Sequence, residues 1–400
     1  MIKTCIFTIV APNYIGQALT LKHSIDAYRD YIDFKIILVS DSKINVDNSI
    51  INDIIYSFEL GINNYKNICF SYNILEHCTN IKPGCFKFLI GKYDFLYYID
   101  PDIYFYQSPL LLNSLFSNGD VLLTPHSLSP ILDQFKPTEL EFLRTGVFNL
   151  GFIGVKKSDK VTAFLDWWSE RCELYGINET SSGLFVDQKW IDLAPCFFEF
   201  ITISRSTGLN VGYWNLHERE IYFKNGSYYA GDDILLFFHF SGLDPHNFIK
   251  VSKHQSRVKL FKNTNIYNLF KDYSVLLIKN SESVKNVRIP FMEFDNGFFL
   301  TELARKYFWK NYKNYIEVEN LFSSDSPLYK KLLSLGLISK KKSISPTIGS
   351  QSDLVKYNLQ IKLIDIFLYA LNFIIGPIKF YYLKRYVIQR FSIISNFYKW

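Results

Sequence analysis

The sequence predicts an α/β protein: a mostly parallel central sheet with helices on both faces, followed by a C-terminal helical extension. Three observations carry this. Over the first 110 residues, short apolar runs alternate with segments of helical spacing, the pattern that builds parallel sheets covered by crossover helices. At 400 residues, 48% of them hydrophobic, the chain has material for a sizeable core in one large or two ordinary domains. From Lys340 onward the composition changes: ten Lys and Arg face only Asp353 and Asp365, so this segment carries +8 of a net +6 and leaves residues 1–339 at about −2.

The elements follow in order. Lys3–Val10 reads as a first strand, its apolar run being too short for a signal peptide and no cleavage site following. Ala18, Leu19, Leu21 and Ile25 give 15–28 helical spacing, and Phe34–Val39 is a second strand ending at Ser40-Asp41. Ile51–Leu60 and Phe86–Ile90 read as helices, and Phe95–Ile99 as a buried strand. Val121–Thr124, Phe148–Val155 and Ile234–Phe240 read as strands, and Lys160–Leu174 as a helix with Trp167 and Trp168, at least one of them in the core. This divides the chain into a catalytic domain, 1–260, an accessory helical region, 261–340, a polar linker, 341–352, and a tail, 353–400. The six cysteines form no Cys-x-x-Cys pair and suit reduced thiols in the cytoplasm.

In the tail, Ile361–Ile375 is strongly apolar but interrupted by Lys362 and Asp365 and ended by Gly376-Pro377. A spanning helix needs about 20 apolar residues. The segment beyond interleaves Phe380, Tyr381, Tyr382 and Tyr386 with Lys379, Lys384, Arg385 and Arg390. That mixture fits helices lying on an anionic membrane surface; a hairpin packed on the main domain is the alternative. The excess charge belongs to the tail, and no nucleic-acid partner is expected.

Four motifs carry chemistry. Asp100-Pro101-Asp102 ends the Phe95–Ile99 strand, and ligands bind at the C-terminal ends of parallel strands. Two carboxylates there suit a hard divalent ion, Mn²⁺ or Mg²⁺, with a diphosphate supplying further oxygens; an Asp-Pro-Asp turn capping a helix is the structural alternative. His239, at the end of an apolar strand, becomes a third ligand when paired with them. Asn149 and Gly151 interrupt a buried strand, where Gly permits close backbone approach or marks a bulge. Asp187-Gln188 opens a helix, either as site residues or as a simple N-cap. Trp214 and Asn215 either line the cleft or are buried.

Taken in chain order, Asp100-Pro101-Asp102, Asn149-Leu150-Gly151-Phe152, Asp187-Gln188 and His239, the four motifs resemble the retaining GT-A glycosyltransferases of family 8 and related bacterial enzymes of lipopolysaccharide and capsule synthesis. The resemblance covers about residues 3–257. It implies a GT-A fold and transfer of a sugar from a nucleotide diphosphate sugar, UDP-linked, to a glycan or lipid-linked acceptor on the inner face of the cytoplasmic membrane. It makes Asp100, Asp102 and His239 the metal ligands, places Asn149 and Gly151 in the sugar pocket, and sets Asp187 and Gln188 beside the anomeric carbon. It implies nucleotide contacts by the Thr8–Tyr14 segment (Thr8, Ala11, Asn13, Tyr14) and by Asp41, with Lys82 near the donor.

The chain departs from the family where a Lys commonly follows the His by six residues; Pro245 stands there. Lys253 and Arg257 are the expected diphosphate contacts, a solvated basic face being the alternative. Two other classes of function stay open. One is a nucleotidyltransferase, although Ala11–Gly16 lacks a Gly-rich phosphate loop; the other is a non-catalytic membrane-associated nucleotide-sugar-binding protein.

Overall fold

The computed structural model describes residues 2–46, 50–116, 119–282, 287–339 and 358–391. The expected linker, 341–352, and the basic residues Lys340, Lys341, Lys342, Lys356 and Lys399 lie outside the described residues.

The chain forms two compact units. The first comprises Met1–Asn178 and Leu184–Met292, the second Glu179–Gly183 and Glu293–Trp400. In the first, the elements run β1 (Thr4–Val10), α1 (Ile15–Ile25), β2 (Ile32–Leu38), β3 (Ile54–Tyr56), α2 (Tyr65–Ser71), α3 (Ile74–Asn80), α4 (Lys82–Leu89), β4 (Phe95–Ile99), β5 (Ile103–Phe105), β6 (Val121–Pro125), α5 (Glu139–Thr145), β7 (Phe148–Lys156) and α6 (Asp159–Tyr175). Seven strands make the main sheet in the order Ile201–Ile203, β6, β7, β4, β1, β2, β3. Its pairings are parallel except those of β7, which runs antiparallel to both β4 and β6. The mostly parallel sheet expected from the alternating pattern is therefore present, with one reversed strand, β7, between β6 and β4.

Alternation along β1 explains the two layers. Cys5, Phe7 and Ile9 face one core with Phe86, Leu89, Phe164 and Trp168 of α4 and α6; Ile6 and Val10 face the other with Ala18 and Leu21 of α1. Trp168 is the fully buried member of the Trp167-Trp168 pair.

A second, three-stranded sheet positions the site. Phe237–His239 pairs in parallel with Val211–Gly212 and antiparallel with β5, with Ile103 opposite His239. The helix Asn265–Ser281 covers this sheet. Its Leu269, Phe270, Tyr273 and Leu277 share a core with Phe238 and Phe240, and Tyr273 stacks on Phe240 at 3.7 Å. The first unit thus runs to Met292, whereas the sequence places a boundary at 260.

Two local expectations are corrected. Ile51–Leu60 is not a helix: Ile54–Tyr56 is an edge strand between two short 3₁₀ turns, pairing with β2 from Ile36 to Leu38. Its β-branched Ile54-Ile55 pair favours a pleated strand once a neighbour offers a ladder. The helix expected at Phe86–Ile90 begins a turn earlier, at Lys82, with Pro83 in its first turn.

The second unit holds the helices Glu302–Asn311, Pro327–Ser334, Asn358–Ile375 and Pro377–Phe391. The last two are joined at Gly376, whose φ of 83° permits the sharp turn. Along them Ile364, Phe367, Leu368, Phe373, Ile374, Tyr381, Tyr382 and Tyr386 are exposed. Among the described residues no helix is long and apolar enough to cross a membrane.

Candidate active site

β4 delivers Asp100 to the edge of the sheet, where its backbone N–H donates to Gly151 O at 2.7 Å. The chain turns at Pro101 and enters β5. Because Ile103 pairs with His239, Asp102 falls beside the end of the His239 strand; Phe240 N donates to Asp102 O at 2.8 Å. His239 Nε2 then lies 3.0 Å from Asp102 Oδ1 and 3.6 Å from Asp100 Oδ2. One ligand atom from each residue lies within 4.8 Å of the other two, so the set could hold a divalent ion. His239 is buried, whereas the carboxylates are about 30% exposed, leaving the cluster open on one side.

Gly151, opposite on β7, completes the space. A Cβ there would lie 2.3 Å from His239 Cε1, 2.7 Å from Nδ1 and 2.8 Å from Asp100 Oδ2. The glycine therefore makes room for the His239 and Asp100 side chains themselves. The bulge alternative holds as well: β4 and β7 pair without a register break as far as Phe152, but against β6 the register jumps from Leu123–Ile153 to Pro125–Phe148, so residues 149–152 of β7 form the irregular stretch.

Electrostatics reflect three charges held close. Burial pushes the Asp100 carboxyl up against the pull of His239 and Lys82. Burial also opposes charge on His239, but Asp102 and Asp100 outweigh it and hold the imidazole above its usual range. Tyr98 donates to Asp100 Oδ1 at 2.5 Å, and Lys82 Nζ sits 4.1 Å over the same tyrosine ring. Lys82, fully buried at the start of α4, pairs with Asp187 Oδ2 at 2.6 Å and donates to Leu150 O at 2.9 Å. Burial raises the Asp187 carboxyl while Lys82 opposes it.

The Asp187 carboxylate accepts no N-cap bond from the helix that follows, so the capping alternative fails. Gln188 bridges two segments: its Oε1 accepts from Leu150 N, and its Nε2 donates to Thr145 O, both at 3.0 Å. Asn149 Oδ1 accepts from Gly151 N at 3.1 Å. The structure thus brings Lys82, Asp100, Asp102, Asn149, Gly151, Asp187, Gln188 and His239 into one neighbourhood.

The other expected residues sit differently. Thr8 and Ala11 are buried, Asn13 and Tyr14 exposed. Tyr14 is half exposed, and the desolvation of its phenol, with Asp102 nearby, pushes that group up. Asp41 pairs with Arg288 at 3.2 Å. Lys253 is exposed, but Arg257 is engaged: Nε and Nη2 each meet Asp133 at 2.8 Å, and Nη2 also donates to Phe135 O and Pro137 O. Trp214 and Asn215 are buried, the Trp edge-on to the His239 ring at 5.0 Å.

Sequence reasoning missed Tyr98, His126 and Asn210. His126 is buried, stacks on Phe142 and meets Asn149 Nδ2 at 3.2 Å; burial pushes its pKa down to about 4. None of the three belongs to a motif with a spacing signature.

No protein-family model matches the chain. The Bacillus subtilis (strain 168) protein YfnF, uncharacterised, is 30% identical over 180 residues, or 42% of this chain and 56% of YfnF. YfnD of the same strain, also uncharacterised, is 26% identical over 172 residues, 42% of this chain and 53% of YfnD. The chain spans about half the length of the curated relatives it matches. Among solved structures, it is similar to the galactosyltransferase LgtC in complex with donor and acceptor sugar analogs (14% identity, 71% of this chain and 98% of that one, TM-score 0.38). It is also similar to the glycosyltransferase GlyE of Streptococcus pneumoniae TIGR4 (15% identity, 72% and 67%, TM-score 0.39).

Proposed function

We propose that the chain is a metal-dependent glycosyltransferase of the GT-A type. It would move a sugar, with retention, from a UDP-linked donor to a glycan or lipid-linked acceptor in cell-surface polysaccharide synthesis. The observation that carries this reading is the convergence of Asp100, Asp102 and His239 at one sheet edge, beside a glycine that only leaves space and above a buried Lys82–Asp187 pair.

Asp100, Asp102 and His239 would hold Mn²⁺ or Mg²⁺, which supplies positive charge to a departing diphosphate. The protein's own part is positioning. Gln188 fixes the Asn149–Gly151 strand through Leu150 N, and Lys82 fixes Asp187. Asp187 and Asn149 then serve as polar groups toward the sugar, in a site whose catalysis rests on leaving-group stabilisation and orientation. Lys253, exposed and unpaired among the described residues, is the better diphosphate contact, because Arg257 is held by Asp133. The nucleoside would lie along Thr8, Ala11, Asn13, Tyr14 and Asp41.

The exposed aromatic and aliphatic side chains of the helices Asn358–Ile375 and Pro377–Phe391, with Lys379, Lys384 and Arg385 beside them, support attachment to the cytoplasmic face of an anionic membrane.

The test is a donor screen: UDP release from a panel of UDP-sugars with Mn²⁺, with and without EDTA. Turnover with one donor, lost in EDTA and cut about 100-fold or more in Asp102→Asn, is expected, since even the partners of metal ligands are worth 10–100-fold. Full activity of Asp102→Asn, or of the wild type in excess EDTA, would remove the metal from the reaction.

A further inference from the structure

Asn210 joins the two halves of the cluster. It immediately precedes the Val211–Gly212 strand, is wholly buried, and holds a left-handed backbone with φ of 48°. Such a conformation is unfavourable for most side chains and most tolerable for Asn. Its backbone oxygen accepts from Asn215 Nδ2 at 3.1 Å. Its amide reaches three strands: Nδ2 meets Thr124 Oγ1 at 2.9 Å, Asn149 Oδ1 at 3.1 Å and Asn149 O at 3.3 Å, while Oδ1 meets His239 Nδ1 at 3.3 Å.

Chemistry fixes the direction of this chain. A backbone N–H only donates, so the Gly151 N–H requires the oxygen of Asn149's amide to face it. That oxygen and the Asn149 carbonyl only accept, so the nitrogen of Asn210 must face them. The oxygen of Asn210 is then left toward His239. An amide oxygen only accepts, so Nδ1 is a ring nitrogen carrying hydrogen. Nε2, across the ring, points at Asp100 and Asp102.

We propose that Asn210 is a positioning residue that fixes His239 in its Nδ1–H tautomer, presents Nε2 to a divalent cation, and ties that orientation to the strand bearing Asn149 and Gly151. The proposal rests on the divalent-metal reading of the site. Partners of metal-ligating histidines act in this way, and their loss costs 10–100-fold in metal affinity.

The experiment uses the full chain with two readouts. Free Mn²⁺ is titrated by electron paramagnetic resonance in the presence of UDP. Ring ¹H and ¹⁵N signals of labelled histidine are recorded without metal, where the Asp102 carboxylate keeps a hydrogen on Nε2 as well, so that the hydrogen on Nδ1 is the readout; His239 is assigned by its loss in His239→Gln. Asn210→Gly suits the left-handed backbone and removes the amide. It should weaken Mn²⁺ binding about 10–100-fold and abolish the exchange-protected Nδ1–H signal. Thr124→Val removes another contact of the same amide without touching His239 and should keep near-wild-type affinity. Three results would overturn the proposal: no protected hydrogen on Nδ1 in the wild type, unchanged affinity in folded Asn210→Gly, or an equal loss in Thr124→Val. If the wild type takes up no Mn²⁺, the metal reading falls separately, and the Nδ1 hydrogen still decides whether Asn210 orients His239.

Discussion

At the scale of the residue, the site depends on an atom that is missing. Gly151 has no Cβ, and one placed there would overlap His239 and Asp100. Gly151→Ala should fold with a penalty of about 1–3 kcal/mol, the usual cost of overpacking, because the ligands can swing aside. It should lose Mn²⁺-dependent UDP binding by calorimetry; retained binding would show that the ligands are not held where β7 places them. His126 makes a prediction in pH. Unfolded, it takes a proton near 6.5; folded, only near 4. Between these values the unfolded state binds more protons, so stability falls as pH drops through that window, by at most about 3 kcal/mol. Melting from pH 7 to 5 should be less pH-sensitive in His126→Gln than in the wild type. Equal slopes would mean the imidazole is charged in the fold. Asp100, Asp102 and His239 were legible in the sequence because charged groups at the ends of apolar runs need a reason to be there. Asn210 was not, because its side chain makes four contacts across strands and none with its own chain neighbours.

At the scale of the element, the helix Asn265–Ser281 is part of what builds the site. Leu269, Phe270, Tyr273 and Leu277 are buried against the small sheet that carries His239. Each buried side chain of this kind contributes about 1.5–3 kcal/mol, a sum comparable to the whole stability of a domain. A chain ending at residue 260 should therefore aggregate or fail to bind Mn²⁺, and one ending at residue 292 should stay soluble and bind it. Size-exclusion chromatography with a metal titration checks both; a soluble, metal-binding chain of 260 residues would restore the earlier boundary. The sequence hid this because the catalytic motifs stop near 257, and an amphipathic helix does not announce which sheet it covers. The edge strand Ile54–Tyr56 was hidden for a related reason: three residues are too few for any period, and only the β2 ladder makes them a strand.

At the scale of the whole molecule, the parallel α/β sheet was legible because alternation repeats over a hundred residues, whereas the reversal of β7 was not: strand direction is set by the path of the chain, not by side-chain pattern. The tail carries the last prediction. Deleting residues 353–400 should leave a soluble enzyme that turns over its donor with a short soluble acceptor. Flotation with anionic liposomes should be lost. In the full chain that binding should weaken with salt without vanishing, since each basic residue contributes about 1 kcal/mol near the surface while apolar insertion is unscreened. An insoluble truncated protein would make the tail a core element. A full chain that ignores anionic liposomes would give it a protein partner.

The pairing of Ile103 with His239 has a consequence in time. Asp102 and His239 are far apart in the chain, and they meet only when the intervening segment has closed into place. Closing such a loop costs entropy before any contact repays it. The first strands and their helices can assemble from near neighbours, but the cluster of Asp100, Asp102 and His239 cannot exist until the late strand docks. A nascent or half-folded chain lacks this cluster, which arrives only with completed topology.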